Sequence, residues 1–168
     1  SYLTLKNNIA NQGGGLRFRD NSNAFIQYSQ IFNNSASHYG GGIYSNNANP
    51  NITHCVIAQN NAEFGGAIYG RINSNMNIQY TTITDNHANE GGGLYLRNNS
   101  TSWIERTIFW NDLPHEIFLH PSEGSTQLSV SYSDVQGGLE GIAINMNGTE
   151  NLLEGNIDSD PLFCKPED

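Results

Sequence analysis

HYGGGIY occupies residues 38–44, EFGGAIY residues 63–69 and NEGGGLY residues 89–95. NQGGGLRF at 11–18 opens the same series. A glycine cluster, then an aliphatic, then usually a tyrosine, recurs at nearly constant spacing. Other columns keep the spacing more strictly. Ile26, Ile52, Ile78, Ile104 and Val130 are each 26 residues apart, and so are Ile31, Ile57, Ile83, Phe109 and Val135. Asn34, Asn60 and Asn86 follow the same step, with Asp112 next in line, and Ala36, Ala62 and Ala88 run beside them. Leu5, Asn8 and Ala10 join one repeat earlier. A fixed period across many columns is the signature of a repeat architecture.

The local pattern is that of strands. ITHCVIAQN and IQYTTITDN are rich in β-branched residues and end in Asn, and polar turn clusters such as SNNANPN and RNNSTSW separate the segments. No helical i, i+3, i+4, i+7 spacing is sustained. Two or three short strands per repeat cannot bury their own apolar face, so the repeats must stack. The sequence therefore predicts an all-β fold: a single-stranded parallel β-helix of about six coils. At about 4.8 Å per coil this gives a rod roughly 30 Å long. Residues 1–136 are assigned to coils and 137–168 to a closing segment of the same domain.

In a stacked solenoid each turn lies over the equivalent turn of the next coil. A corner that needs positive φ or close backbone approach then needs glycine in every coil. Alternation places Leu16, Ile43, Ile68, Leu94 and Ile117 inward and Arg17, Tyr44, Tyr69, Tyr95 and Phe118 outward. Phe18, Ser45, Gly70 and Leu96 follow inward, and Arg19, Asn46, Arg71 and Arg97 outward. The Asn column reads as an inward amide ladder between coils. Cys55 shares an inward column with Ser29, Thr81, Thr107 and Ser133 and is expected to be a buried free thiol. Cys55 and Cys164 do not make a disulfide framework.

Composition narrows the function classes. The chain has 7 Lys+Arg against 16 Asp+Glu, a net charge of −9. No basic patch is present for nucleic acid, and no polybasic segment for an anionic membrane surface. No apolar run approaches the roughly 20 residues that cross a bilayer, and the N-terminus does not read as a signal peptide.

The paired motifs [I/L/F]-x-x-N and GG[G/A][I/L]Y resemble the repeats of right-handed parallel β-helix proteins of bacterial surfaces, in particular the polymorphic outer-membrane-protein type. The similarity runs from residue 3 to about 119, and GNIDSDPLF at 155–163 resembles the closing segment of secreted bacterial β-helix domains. The resemblance implies a right-handed coil and an extracellular or cell-surface setting. It leaves activity open, since a fold does not fix a function. The start in mid-strand, without a cap, suggests a fragment, a processed form or a subunit that completes its coil with a neighbour.

The candidate ligand face is Tyr44, Tyr69 and Tyr95 flanked by Arg19, Arg71 and Arg97. Aromatic rows beside planar donors suit sugar rings and their carboxylates, but cross-coil stacking alone also explains them. Catalytic chemistry is thin. Glu63, Glu90 and His87 come near one turn, Asp85 points outward, and Asp112 falls in the inward column. No catalytic residue is assigned, although a hydrolase would need two carboxyl groups in a fixed separation. The histidines at 38, 54, 87, 115 and 120 lack metal spacing, and His54 is expected to stack in a column with Tyr28, Tyr80, Arg106 and Tyr132. Asn156, Asp158 and Asp160 read either as a calcium site or as a capping turn; no metal or cofactor is assigned. Asn33, Asn51, Asn98, Asn99 and Asn147 lie in N-x-[S/T] triplets.

The expected function is a non-enzymatic extracellular structural or adhesive module, with head-to-tail self-association. The alternatives are a glycan-binding module using the Tyr/Arg face and, third, a polysaccharide lyase or hydrolase. Neither nucleic-acid binding nor membrane insertion is expected.

Overall fold

The computed structural model describes residues 2–120, 124–144 and 148–163. The strands form three six-stranded sheets and one two-stranded sheet. The first sheet stacks Thr4–Lys6, Gln30–Phe32, Val56–Ala58, Thr82–Thr84, Ile108–Trp110 and Asp134–Val135. The second stacks Leu16–Arg19, Ile43–Asn46, Ile68–Arg71, Leu94–Leu96, Ile117–Leu119 and Ile142–Ile144. The third stacks Phe25–Gln27, Asn51–Thr53, Asn75–Gln79, Thr101–Glu105, Thr126–Ser131 and Gly148–Leu152. Every named pairing is parallel and joins residues one coil apart, as in Ile52↔Ile78 and Ile31↔Ile57. The expected parallel β-helix is therefore the observed fold. The closing segment also builds strands, since Ile142–Ile144 and Gly148–Leu152 extend the second and third sheets.

The aliphatic columns meet inside the three faces. Ile31, Ile43, Ile52, Ile57, Ile68, Ile78, Ile83, Leu94 and Phe109 are fully buried in one continuous core. Leu5, Leu16 and Phe18 of the first coil are only partly buried against it.

The Asn column is an amide ladder. The Nδ2 of Asn8, Asn34 and Asn60 donates to Oδ1 of the Asn in the next coil at 2.9, 3.1 and 3.0 Å. Asn86 Nδ2 donates to Asp112 Oδ1 at 2.8 Å. The same oxygens accept backbone N–H groups of the preceding coil, and Asn60 Nδ2 also reaches the Ile31 carbonyl at 2.9 Å. Each buried amide thus satisfies backbone groups that the bend would orphan.

The glycine corner has two causes. Gly13, Gly40, Gly65 and Gly91 have φ of 66°, 65°, 67° and 61°, where a β-carbon is strained. The next glycine is packed against neighbouring backbone instead: a Cβ on Gly41 would stand 2.4 Å from the Gly66 carbonyl oxygen. The third position tolerates Ala67.

Candidate functional site

The tyrosines predicted to line an exposed face do stack in register, but they are not exposed. Tyr44–Tyr69, Tyr69–Tyr95 and Tyr95–Phe118 lie 5.7, 5.0 and 5.3 Å apart with rings within 14° of parallel. They point away from the main core, yet Tyr44, Tyr69 and Tyr95 are only 2, 0 and 1% exposed. The turns before the glycine corner fold back over them. Tyr39 lies 4.7 Å from Tyr69, and Phe64 meets Tyr95 edge-on at 5.6 Å. The stack is a second hydrophobic core. Burial pushes the Tyr69 hydroxyl up to about 12, opposed by the Arg97 and Arg71 charges beside it. Burial raises Tyr95 further, helped by Tyr69 and Glu90. Arg19 is exposed while Arg71 and Arg97 are half-buried. The expectation of a sugar stacked on Tyr44, Tyr69 and Tyr95 is thus corrected: their faces are taken by one another, by Phe118 and by Arg17, and Tyr39 and Phe64 pack over them.

The exposed aromatic column lies elsewhere, at the tight corner between the third and first sheets. His54 stacks on Tyr80 at 4.8 Å and meets Tyr28 at a tilt at 5.0 Å. The Arg106 guanidinium lies 5.5 Å from the Tyr80 ring centre and 5.3 Å from that of Tyr132. Tyr28, Tyr80 and Tyr132 are each nearly half exposed. All five residues have positive φ, from 48° at Tyr132 to 53° at His54. Bulky side chains are rare there, and the conformation costs about 1–2 kcal/mol per residue.

The residue after each of them holds the corner from inside. Ser29, Thr81, Thr107 and Ser133 hydroxyls donate to the carbonyl two residues back at 2.8–3.1 Å. Thr107 N in turn donates to Ser133 Oγ, and Ser133 N to Asn156 Oδ1. Cys55 occupies this column as the buried free thiol expected, its pKa raised by burial. Cys164 lies outside the described residues.

Beside the corner is a hollow that the repeat reading passed over. Trp103 stands on the outer side of the third sheet between Asn77 and Ser129, and is 48% exposed. With Glu105, Ser131, Tyr132, Leu153 and Glu154 it lines a space of about 490 Å³. Glu105 pairs with Arg106 and accepts Gln79 Nε2 at 3.0 Å. The Tyr132 hydroxyl donates to Glu154, which raises the Tyr132 pKa. The signal was a tryptophan set between Asn77 and Ser129, in a column that opens on Phe25 and continues with Asn51.

The acidic candidates separate. Phe64 bridges to Glu90, and Asn89 N donates to the Glu63 carbonyl at 2.9 Å, so Glu63, His87 and Glu90 do share a turn region. A carboxyl pair that sequence reading missed is buried within the rod. Asp112 N donates to Glu116 Oε1 at 3.2 Å, and the two residues are 2 and 4% exposed. Burial raises both carboxyl pKa values, and Asp112 adds to the rise at Glu116, so the pair holds a proton more tightly than two free carboxyls would. Enclosed in this way it cannot reach a polymeric substrate. Leu94 pairs with Ile117, so Glu116 stands where the preceding coil has Gly93.

The third acidic group caps turns. Asn156 Oδ1 accepts Ser133 N, Asp158 Oδ1 accepts Gly137 N, and Asp160 Oδ1 accepts Leu162 N, at 3.0, 3.1 and 2.9 Å. Among the described residues, no group of three or more His, Cys, Asp or Glu is arranged to hold a metal ion.

Three parallel sheets, a buried amide ladder and a glycine corner define a β-solenoid repeat protein. The chain belongs to the right-handed β-helix family: the family model described as "Right handed beta helix region" matches residues 1–158. Its coils are accordingly right-handed. Neither a curated protein nor a solved structure matches it.

Proposed function

We propose that this β-helix is a rigid extracellular structural or adhesive module that works by presenting its surface and not by catalysis. The corner ladder carries the reading. Tyr28, His54, Tyr80, Arg106 and Tyr132 stand in one line along the rod, exposed, each in left-handed backbone that glycine would adopt at lower cost. Strain held in register at an exposed surface is a pointer to function. The GG[G/A][I/L]Y repeats, similar to those of bacterial surface proteins, support the extracellular setting. The test is display of the chain on otherwise non-adherent cells. Retention on glycan-coated or protein-coated surfaces should fall when Tyr28, His54 and Tyr80 are all replaced by Gly, with the fold intact by circular dichroism. Unchanged retention would contradict the adhesive reading.

Head-to-tail assembly is a second reading, suggested by apolar side chains on the first coil. Leu3 and Phe25 are 50 and 64% exposed there, and with Leu16, Phe18 and Ile26 they line a hollow of about 320 Å³. A second copy stacked there would cover these side chains through the same parallel pairing that joins the coils. Sedimentation velocity should show species growing with concentration. A single monomer peak across the range would exclude it.

A further inference from the structure

We propose that the hollow beside Trp103 docks a cationic side chain, an arginine or lysine on a basic segment of a partner. This names a partner class for the adhesive reading and rests on it for its biological setting.

Trp103 is left bare for a simple reason. Its neighbour in the next coil is Ser129, too short to cover an indole. Tyr132 and Leu153 continue the apolar wall, and Glu105 and Glu154 bring two carboxylates to it. Arg106 pairs with Glu105, which leaves Glu154 as the excess negative charge. Aromatic faces attract cations through the ring quadrupole, and a nearby carboxylate adds a charge-assisted hydrogen bond.

The chain already uses this chemistry one step away. The Arg106 guanidinium lies between the Tyr80 and Tyr132 rings while it pairs with Glu105. A guest guanidinium or ammonium over Trp103, beside Glu154, would repeat that arrangement with a partner's side chain. Charge complementarity selects the same occupant. The chain carries a net charge of −9, which draws a basic segment in and repels an acidic glycan. A neutral sugar could lie on the indole but would gain nothing from the field.

The test titrates acetylated tetra-arginine amide into the full chain, followed by tryptophan fluorescence and by calorimetry. Expected is saturable binding that weakens with added salt. Trp103→Ala should weaken it about tenfold, Trp103→Phe less, and Glu154→Gln should flatten the salt dependence. Trp103 is half exposed and Glu154 exposed, so these variants should stay folded, which circular dichroism checks. Equal affinity for the parent and Trp103→Ala would reduce the effect to diffuse charge attraction and overturn the proposal. So would absence of peptide binding, or binding of neutral maltohexaose in its place. The titration reads this hollow alone. The adhesive reading fails separately, by unchanged retention of the corner-ladder variant on surfaces.

Discussion

The Tyr44–Tyr69–Tyr95–Phe118 stack and the Tyr28–His54–Tyr80–Arg106–Tyr132 ladder obey the same coil repeat. Rings sit 5.0–5.7 Å apart in the first and 4.8–5.0 Å apart along Tyr28–His54–Tyr80 in the second. One is buried and the other exposed. The turn beside each column makes the difference. The third and first sheets are joined by two residues, such as Tyr28–Ser29 or Tyr80–Thr81, and so short a bend covers nothing. The first and second sheets are joined by the longer stretches 33–42 and 59–67, which carry Tyr39 and Phe64 back over the tyrosines. Pointing away from the core is a property of the strand; meeting water is a property of the turn.

The largest effect should separate the two columns by stability. Tyr69→Ala empties a sealed site and should cost about 3–5 kcal/mol, whereas Tyr80→Ala should cost about 1 kcal/mol or less. Urea unfolding of both variants measures the gap; equal losses would erase the distinction. Register in both columns depends on the amide ladder. Asn60→Ala leaves the Ile31 carbonyl and the Asn34 N–H without their partner, at a cost of about 3 kcal/mol in the same assay.

The buried carboxyl pair breaks the ladder's uniformity and should show in pH dependence. Both folded pKa values are raised by burial, so the folded chain binds more protons than the unfolded one. Stability is fully present below the ordinary carboxyl range and is lost as pH rises through the raised carboxyl pKa values. The slope should reach about 1.4 kcal/mol per pH unit where the two states differ by one proton. Asp112→Asn, which restores an amide to the column, should flatten that fall; melting temperatures from pH 5 to 9 measure it.

The smallest effect reverses sign between the columns. At position 80, with φ of 49°, Gly should be more stable than Ala by about 1 kcal/mol. At position 69, inside a strand, Gly should be the less stable of the two. Paired melts of the four variants would show whether the corner is strained.

The coils, the inward columns and the amide ladder were legible because each is periodic and each answers to one local rule. Asn34, Asn60 and Asn86 could be placed by counting. Burial of Tyr69 could not, since it depends on Tyr39 of the coil before it, which ends the short strand Ser35–Tyr39 and folds over the stack from outside the core columns. Trp103 was illegible for a related reason. It stands between two short polar residues, and its exposure follows from Ser129 in the next coil. The Asp112–Glu116 pair was hidden by register: the fifth coil reaches Ile117 by a shorter turn, so Glu116 enters the glycine column out of step.

Nitration of native tyrosines by tetranitromethane, mapped by peptide mass spectrometry, tests the contrast most directly. Modification should fall on Tyr2, Tyr28, Tyr80 and Tyr132, with Tyr44, Tyr69 and Tyr95 protected until the chain is unfolded. Comparable nitration of both sets in the folded chain would mean that the turns do not cover the inner stack, and the second core would have to be given up.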